Sequence, residues 1–210
     1  MSFAAFSCSE PANAAAKVPK PEKDVAPATQ PSETKTAVFG GGCFWAAEEA
    51  FDQLEGVTDV VSGYAGGTAE TANYEDSHHS DHAEVVEVKY DPSKITYGDL
   101  LHVLFTFIDP TQVDGQGPDR GPGYRSSVFY ANEEEKQLAE AYIKQLESAK
   151  LFDKPIATKL EQLEKFYVAE DYHQNYLKNP ANLNRGYVQN VSLKKVKQVR
   201  EAFKGELKEK

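Results

Sequence analysis

The sequence predicts an α+β fold: a two-layer α/β sandwich in which a mixed sheet carries its helices mainly on one face. Three observations carry this expectation. Segments of strand period and of helix period are interleaved along the chain. The connections between them are of both hairpin and helix length, which neither an all-parallel nor an all-meander sheet would need. And 210 residues with 40% hydrophobic content suffice for one well-buried domain.

Residues 36–39 form the first expected strand, which runs into Gly40-Gly41-Gly42. From Cys43 the period changes. Phe44, Ala47, Phe51 and Leu54 recur at spacings of three and four, an amphipathic helix that Gly56 ends. Residues 57–64 read as a second strand closing on Gly66-Gly67, and 82–90 alternate as a third, stopped by Asp91-Pro92. Thr96 with Asp99 has the form of a capping box ahead of an apolar helix over 100–108. A glycine- and proline-punctuated loop spans 109–123, and 124–130 is a further strand. Asn132 with Glu135 caps a helix to about residue 150, and 156–163 is another expected strand. Helices are expected at 169–177 and 191–207, the latter aligning Val196, Val199, Phe203 and Leu207. Strands and helices in this order suit a ferredoxin-like plait.

Residues 1–35 are of a different kind. Rich in Ala, Pro and Lys, they carry few large apolar residues between Ser9 and Thr34, and so cannot offset the entropy of ordering. A disordered tail over 1–35 and a single catalytic domain over 36–210 are therefore expected. The first ten residues lack a positive n-region and a full apolar h-region, which argues for a cytoplasmic protein. Ala12-Asn13-Ala14 has the small-x-small form of a cleavage site, and Ser7-Cys8 faintly resembles an acylation site. Export or lipid anchoring is thus the alternative.

Charge and cysteine content narrow the function. Lys+Arg of 23 against Asp+Glu of 33 leaves a net charge of −10, so no basic face for nucleic acid or anionic membrane is expected. No run approaches the roughly 18 apolar residues of a membrane helix. Two cysteines, Cys8 and Cys43, cannot form a disulfide scaffold or a four-thiolate zinc site. His78, His79 and His82 with Asp76 and Asp81 lack a helical frame and a further ligand close by, so no metal is expected. A monomer is the expected state.

Gly40-Gly41-Gly42-Cys43-Phe44-Trp45 is the chemical centre. The glycines permit a tight strand-to-helix turn that sets the thiol at a helix N-terminus. Free amides and the helix dipole there favour a thiolate, so a lowered pKa and a nucleophilic or redox cysteine are expected. A phosphate loop would need Gly-Lys-Ser/Thr where Cys-Phe-Trp stands. Phe44 and Trp45, the only tryptophan, could wall a pocket for a small apolar group or simply pack at the helix start. Glu84 shares one face of its strand with Val86, Val88 and Tyr90. Its carboxyl is thus at the end of an inward face, where desolvation favours the protonated acid.

Gly-Cys-Phe-Trp at 42–45 resembles the signature of the A-type peptide methionine sulfoxide reductases. Further blocks resemble that family in order: Gly63-Tyr64-Ala65-Gly66-Gly67, Asn73-Tyr74, His82-Ala83-Glu84-Val85-Val86, Gln116 to Gly121, Tyr124-Arg125-Ser126, and Ala169 to Gln174 with Tyr176-Leu177 and Asn179-Pro180. The likeness spans roughly residues 36–187. It implies reduction of methionine-S-sulfoxide, free or in proteins, through a sulfenic acid on Cys43, with Glu84 as the acid. It also implies an apolar pocket at Phe44 and Trp45, tyrosines Tyr64 and Tyr124 on the sulfoxide oxygen, and Asp119 as a polar site residue. No bound cofactor is implied. Many family members resolve the sulfenic acid with a second cysteine, yet none follows residue 43 here. An external thiol (thioredoxin, glutaredoxin or glutathione) is the expected reductant. Cys8 is the other route, since 35 flexible steps span about 33 Å r.m.s.. Two rival readings stand beside this one: a hydrolase or acyltransferase pairing Cys43 with His82 or His173, and a noncatalytic redox-sensing module.

Overall fold

The computed structural model describes residues 18–29 and 33–209, which leaves Cys8 outside the described residues. Strand β1 (Lys35–Gly41) leads through a turn at Gly42 and Cys43 into helix α1 (Phe44–Asp52). Strand β2 (Val57–Ala65), the short helix α2 (Tyr74–Ser77), strand β3 (Ala83–Tyr90) and helix α3 (Tyr97–Phe107) follow. A small hairpin, β4 (Gly115–Gln116) with β5 (Asp119–Arg120), precedes strand β6 (Ser126–Tyr130) and helix α4 (Glu133–Ser148). Strands β7 (Lys159–Gln162) and β8 (Phe166–Val168), helix α5 (Pro180–Leu183) and helix α6 (Leu193–Ala202) complete the chain.

The main sheet has the order β7-β6-β1-β3-β2-β8. Only β6 and β7 pair in parallel; the other neighbours are antiparallel. Its inner four strands, taken with α1 and α3, make a split β-α-β arrangement. Register decides which side chains face the helices. Phe39 lies opposite Val86 on one side and Val128 on the other, and Tyr64 lies opposite Glu84. Phe39, Val86, Val88, Val128 and Tyr64 join Phe44, Phe51, Leu100, Leu104 and Tyr142 from the helices in one large core. Each such buried side chain is worth about 1.5–3 kcal/mol of burial. Among the described residues the apolar cluster on the opposite face is smaller: Val38, Ala65, Ala83, Val85 and Phe129, under Leu163 and Phe166. The helices thus occupy one face, and Glu84 points toward them, two residues beyond Val86.

The expected caps form. Thr96 and Asp99 exchange both capping-box hydrogen bonds, and the Asn132 side chain accepts from the Glu135 amide at 3.0 Å. Two expected helices differ from what is observed. The helix expected over 169–177 is two 3-10 turns, Asp171–His173 and Tyr176–Lys178. Gln174 breaks it by giving its side chain to the Ser62 amide and carbonyl. Asn175 breaks it by adopting a left-handed φ of 52° while its amide donates to Glu48. The C-terminal helix starts late, at Leu193, after a π turn over Val188–Ser192. Strand β8 goes unseen in the sequence because three residues are too few to show an alternation.

Residues 18–29, expected within a tail free of contacts, lie on the helical layer instead. Val18 is buried, and its carbonyl accepts from His102 Nε2 at 2.9 Å. The Pro19 carbonyl accepts from the Tyr142 hydroxyl at 2.6 Å. Asp24 accepts from the Gly98 amide at 2.9 Å and from the Thr96 hydroxyl, at the start of α3. Composition could not show this, because half of these bonds use main-chain carbonyls that any sequence supplies.

Candidate active site

The turn from β1 into α1 depends on Gly42, whose φ of +80° is left-handed and whose added Cβ would lie 2.6 Å from Gln116 Cβ. That turn leaves Cys43 as the residue before the first helical amide. The Phe44 amide, first in α1, donates to Glu84 Oε2 at 3.0 Å. A helix start and a strand end thereby hold the thiol-bearing residue and the carboxyl together. Glu84 is only 1% exposed.

Cys43 and Glu84 open into one cavity of about 580 Å³, lined also by Trp45, Tyr74, Asp119, Tyr124, Tyr176, Arg185 and Tyr187. Trp45 is fixed from three sides. It stacks on Tyr176 at 3.7 Å with rings 3° from parallel, and meets Tyr187 edge-on at 6.0 Å. Its indole N–H donates to His173 Nδ1 at 3.0 Å. The Tyr187 hydroxyl donates to Asp119 Oδ2 at 2.7 Å.

Burial sets the protonation states. It raises Glu84 above the usual carboxylate range, although the His78 ring and the Phe44 amide both oppose the shift. Burial likewise holds the Tyr124 and Tyr187 hydroxyls protonated, as donors. Cys43 departs from the expectation of a lowered pKa. Its sulfur makes no cap hydrogen bond, and burial, followed by the nearby Glu84 charge, pushes the thiol well up. The Trp45 amide and Tyr187 hydroxyl favour the anion but are outweighed. The resting residue is therefore a thiol, and a helix dipole on a buried sulfur loses to desolvation.

Of the residues singled out in the sequence, Cys43, Trp45, Glu84, Asp119 and Tyr124 meet at this cavity. Phe44 and Tyr64 do not line it. Phe44 is fully buried behind the wall, against Tyr64 at 5.8 Å and His173 at 4.9 Å. Tyr64 is also fully buried, and its hydroxyl donates to Glu170 Oε2 at 2.9 Å. The other oxygen of Glu170 accepts from the Tyr74 amide at 2.9 Å, so Tyr64 supports the turn that presents Tyr74. Tyr74, Tyr176, Arg185 and Tyr187 were missed as site residues. For Tyr74 and Tyr176 a signal existed, since Asn73-Tyr74 and Tyr176-Leu177 are among the resembling blocks.

The histidines have other partners. His173 serves Trp45, His82 Nε2 faces the Thr68 carbonyl and His78 Nε2 faces Glu84. Among the described residues no histidine hydrogen-bonds Cys43, which disfavours a cysteine–histidine hydrolase.

One and a half turns into α1, buried Glu48 accepts from the Asn175 amide at 3.0 Å, and burial raises its pKa to about 7. A carboxyl raised in the fold adds stability below its unfolded pKa, and that stability is lost as pH rises from about 4.5 through about 7. Glu48→Gln keeps the acceptor without the charge. It should exceed the wild type at pH 8 by on the order of 3 kcal/mol and match it near pH 4 in paired thermal melts.

A buried thiol and a buried acid share an aromatic-walled cavity with phenolic donors, a set of groups suited to nucleophilic and acid chemistry. Comparison with known proteins narrows the class. The family model for peptide methionine sulfoxide reductase matches residues 35–207. The peptide methionine sulfoxide reductase MsrA 2 of Synechocystis is 45% identical over 196 residues, covering 91% of this chain and 90% of the relative. The MsrA of Natronomonas pharaonis is 50% identical over 173 residues, 81% of this chain and 96% of its own. Among solved structures, reduced Mxr1 from Saccharomyces cerevisiae superposes with a TM-score of 0.62 at 34% identity, covering 72% of this chain and 88% of that one. Methionine sulfoxide reductase A of Corynebacterium diphtheriae gives 0.62 at 35%, with 72% and 77% covered. The chain belongs to the peptide methionine sulfoxide reductase family, which is a family of oxidoreductases.

Proposed function

We propose that this protein reduces methionine-S-sulfoxide, free or within proteins, to methionine, with Cys43 as nucleophile and Glu84 as acid. The observation that carries the reading is the opening of Cys43 and Glu84 into one cavity with Trp45 as its wall. The substrate methyl packs on Trp45, and the sulfoxide oxygen faces the protonated Glu84 with Tyr74, Tyr124 and the Tyr187–Asp119 pair around it.

The electron balance needs no bound cofactor. Cys43 Sγ gives up its proton and bonds to the substrate sulfur while Glu84 protonates the oxygen. The S–O bond then breaks, the hydroxyl passes to Sγ, and methionine leaves; the proton that the thiol released restores Glu84. Substrate sulfur gains two electrons and Cys43 becomes a sulfenic acid. With Glu84 carrying its proton, the charge that opposes thiolate formation is gone. Two external thiol equivalents then return Cys43 to the thiol as a disulfide and water. Thioredoxin, glutaredoxin and glutathione are the reductants proposed, with Cys8 as the route within the chain.

Mass spectrometry after one equivalent of sulfoxide without reductant tests this reading. One added oxygen on Cys43 is the expected result. A Cys8–Cys43 disulfide would move the resolving step into the chain, and an unmodified Cys43 beside unreacted sulfoxide would overturn the proposal.

A further inference from the structure

The two oxygens of Glu84 have different partners. Oε2 accepts from the Phe44 amide at 3.0 Å, and Oε1 meets His78 Nε2, also at 3.0 Å. The carboxyl is 1% exposed whereas the His78 side chain is 21% exposed, so the ring is the part of this pair that reaches water. The ring is also held in place. It stands perpendicular to Tyr74 at 4.9 Å and tilted by 32° against Tyr124, again at 4.9 Å. Both tyrosines line the cavity that holds Cys43. The histidine comes from the turn after α2, whose first amides are capped by Asn73.

A buried acid that gives away its proton in every cycle must regain it, and nothing in the Phe44 contact can return one. An imidazole at hydrogen-bond distance can, because it carries and releases protons near neutral pH. We propose that His78 is a positioning residue that shares the reacting proton with Glu84 and recharges the carboxyl from solvent. This rests on the reading of Glu84 as the acid. The step balances. Glu84 gives the proton it shares with Nε2 to the sulfoxide oxygen, which leaves a carboxylate beside a neutral ring. The ring then takes up the proton that the Cys43 thiol released to solvent and shares it through Nε2 with Oε1. Across neutral pH the pair keeps one proton between Nε2 and Oε1, and that proton belongs to the pair and not to either group. The hydrogen bond to Glu84, with the Glu84 charge behind it, raises His78 against its burial, which is the direction such sharing needs.

Other groups facing the pair are Cys43 from the turn before α1, Asp119 from β5, Tyr64 from β2, Tyr74, Tyr124 and His173. Of these, the raised tyrosines stay neutral through the range in which the pair titrates.

The test is the pH dependence of multiple-turnover methionine formation with saturating dithiothreitol in wild type, His78→Ala and His78→Gln, with and without added imidazole. His78→Ala is expected to lose about tenfold in rate at pH 8, with KM unchanged and the alkaline limb moved to higher pH, because His78 no longer holds the Glu84 carboxyl down. Imidazole in the buffer should restore part of the loss in His78→Ala. His78→Gln keeps a hydrogen-bond donor opposite Oε1 but cannot pass a proton. It should hold the wild-type melting curve and still lose rate, and it carries the test if His78→Ala melts early. Wild-type rates and an unmoved alkaline limb in His78→Gln would overturn the inference, as would an alanine variant that folds and ignores imidazole. A wild type that forms no methionine would instead remove the proposed reaction itself, so the two failures are distinguishable.

Discussion

Cys43→Ser should show no measurable reduction of a methionine sulfoxide substrate with dithiothreitol or thioredoxin. The reason is chemical. A serine hydroxyl is a hard, weakly acidic nucleophile that cannot take up the oxygen and the two oxidising equivalents that become a sulfenic acid on sulfur. Buried beside Glu84 as Cys43 is, a serine oxygen would be harder still to ionise. Loss of folding would not account for the result, because serine is a better residue than cysteine just before the first turn of a helix. The variant should therefore match the wild-type circular dichroism and melt no earlier. Turnover in that variant at the wild-type rate would leave Cys43 outside the reaction.

Those parts of the fold that rest on local pattern could be read from the sequence. The alternation of Glu84, Val86, Val88 and Tyr90 is what put the carboxyl on the inner face, and the register of β3 against β1 and β2 places it there. The same holds for α1, which follows the glycine turn ending at Gly42, and for α3 and α4, whose starts are written in the caps Thr96 and Asn132. What could not be read depends on partners distant in sequence. Tyr187 reaches the cavity, and His78 reaches Glu84, from short turns held by Asp119 and Glu84, and no periodicity marks such a turn. Phe44 and Trp45 are neighbours with the same apolar character, yet a helix turns about 100° per residue. Trp45 therefore lines the cavity while Phe44 is turned into the core. The protonation of Cys43 was misjudged for a related reason. The helix dipole is local and visible, whereas the burial and the Glu84 charge that outweigh it exist only in the folded chain.

Glu84→Gln should lower the rate of sulfoxide reduction by about 10²–10³-fold and flatten its alkaline limb. The substitution is nearly isosteric, so the contact that places the residue survives: an amide oxygen can accept from Phe44 N–H as Oε2 does, and the amide N–H₂ can donate to the ring of His78. What disappears is the proton. In the wild type, burial holds the Glu84 pKa above the ordinary value, so the acid is charged with its proton at lower pH and the rate falls as pH rises through that raised pKa. The glutamine variant has no such group, and its remaining slow rate, supported by the phenolic donors alone, should not follow that limb. The thiol supplies an internal check. The Glu84 charge is the second-largest influence raising Cys43, so its removal should ease thiolate formation. Alkylation of Cys43 by iodoacetamide should then be faster in Glu84→Gln than in wild type at pH 8, even as sulfoxide reduction becomes slower. Faster alkylation with slower turnover separates loss of the acid from damage to the nucleophile. If both rates fell together, Glu84 would be holding Cys43 in place and the proton would have to come from elsewhere.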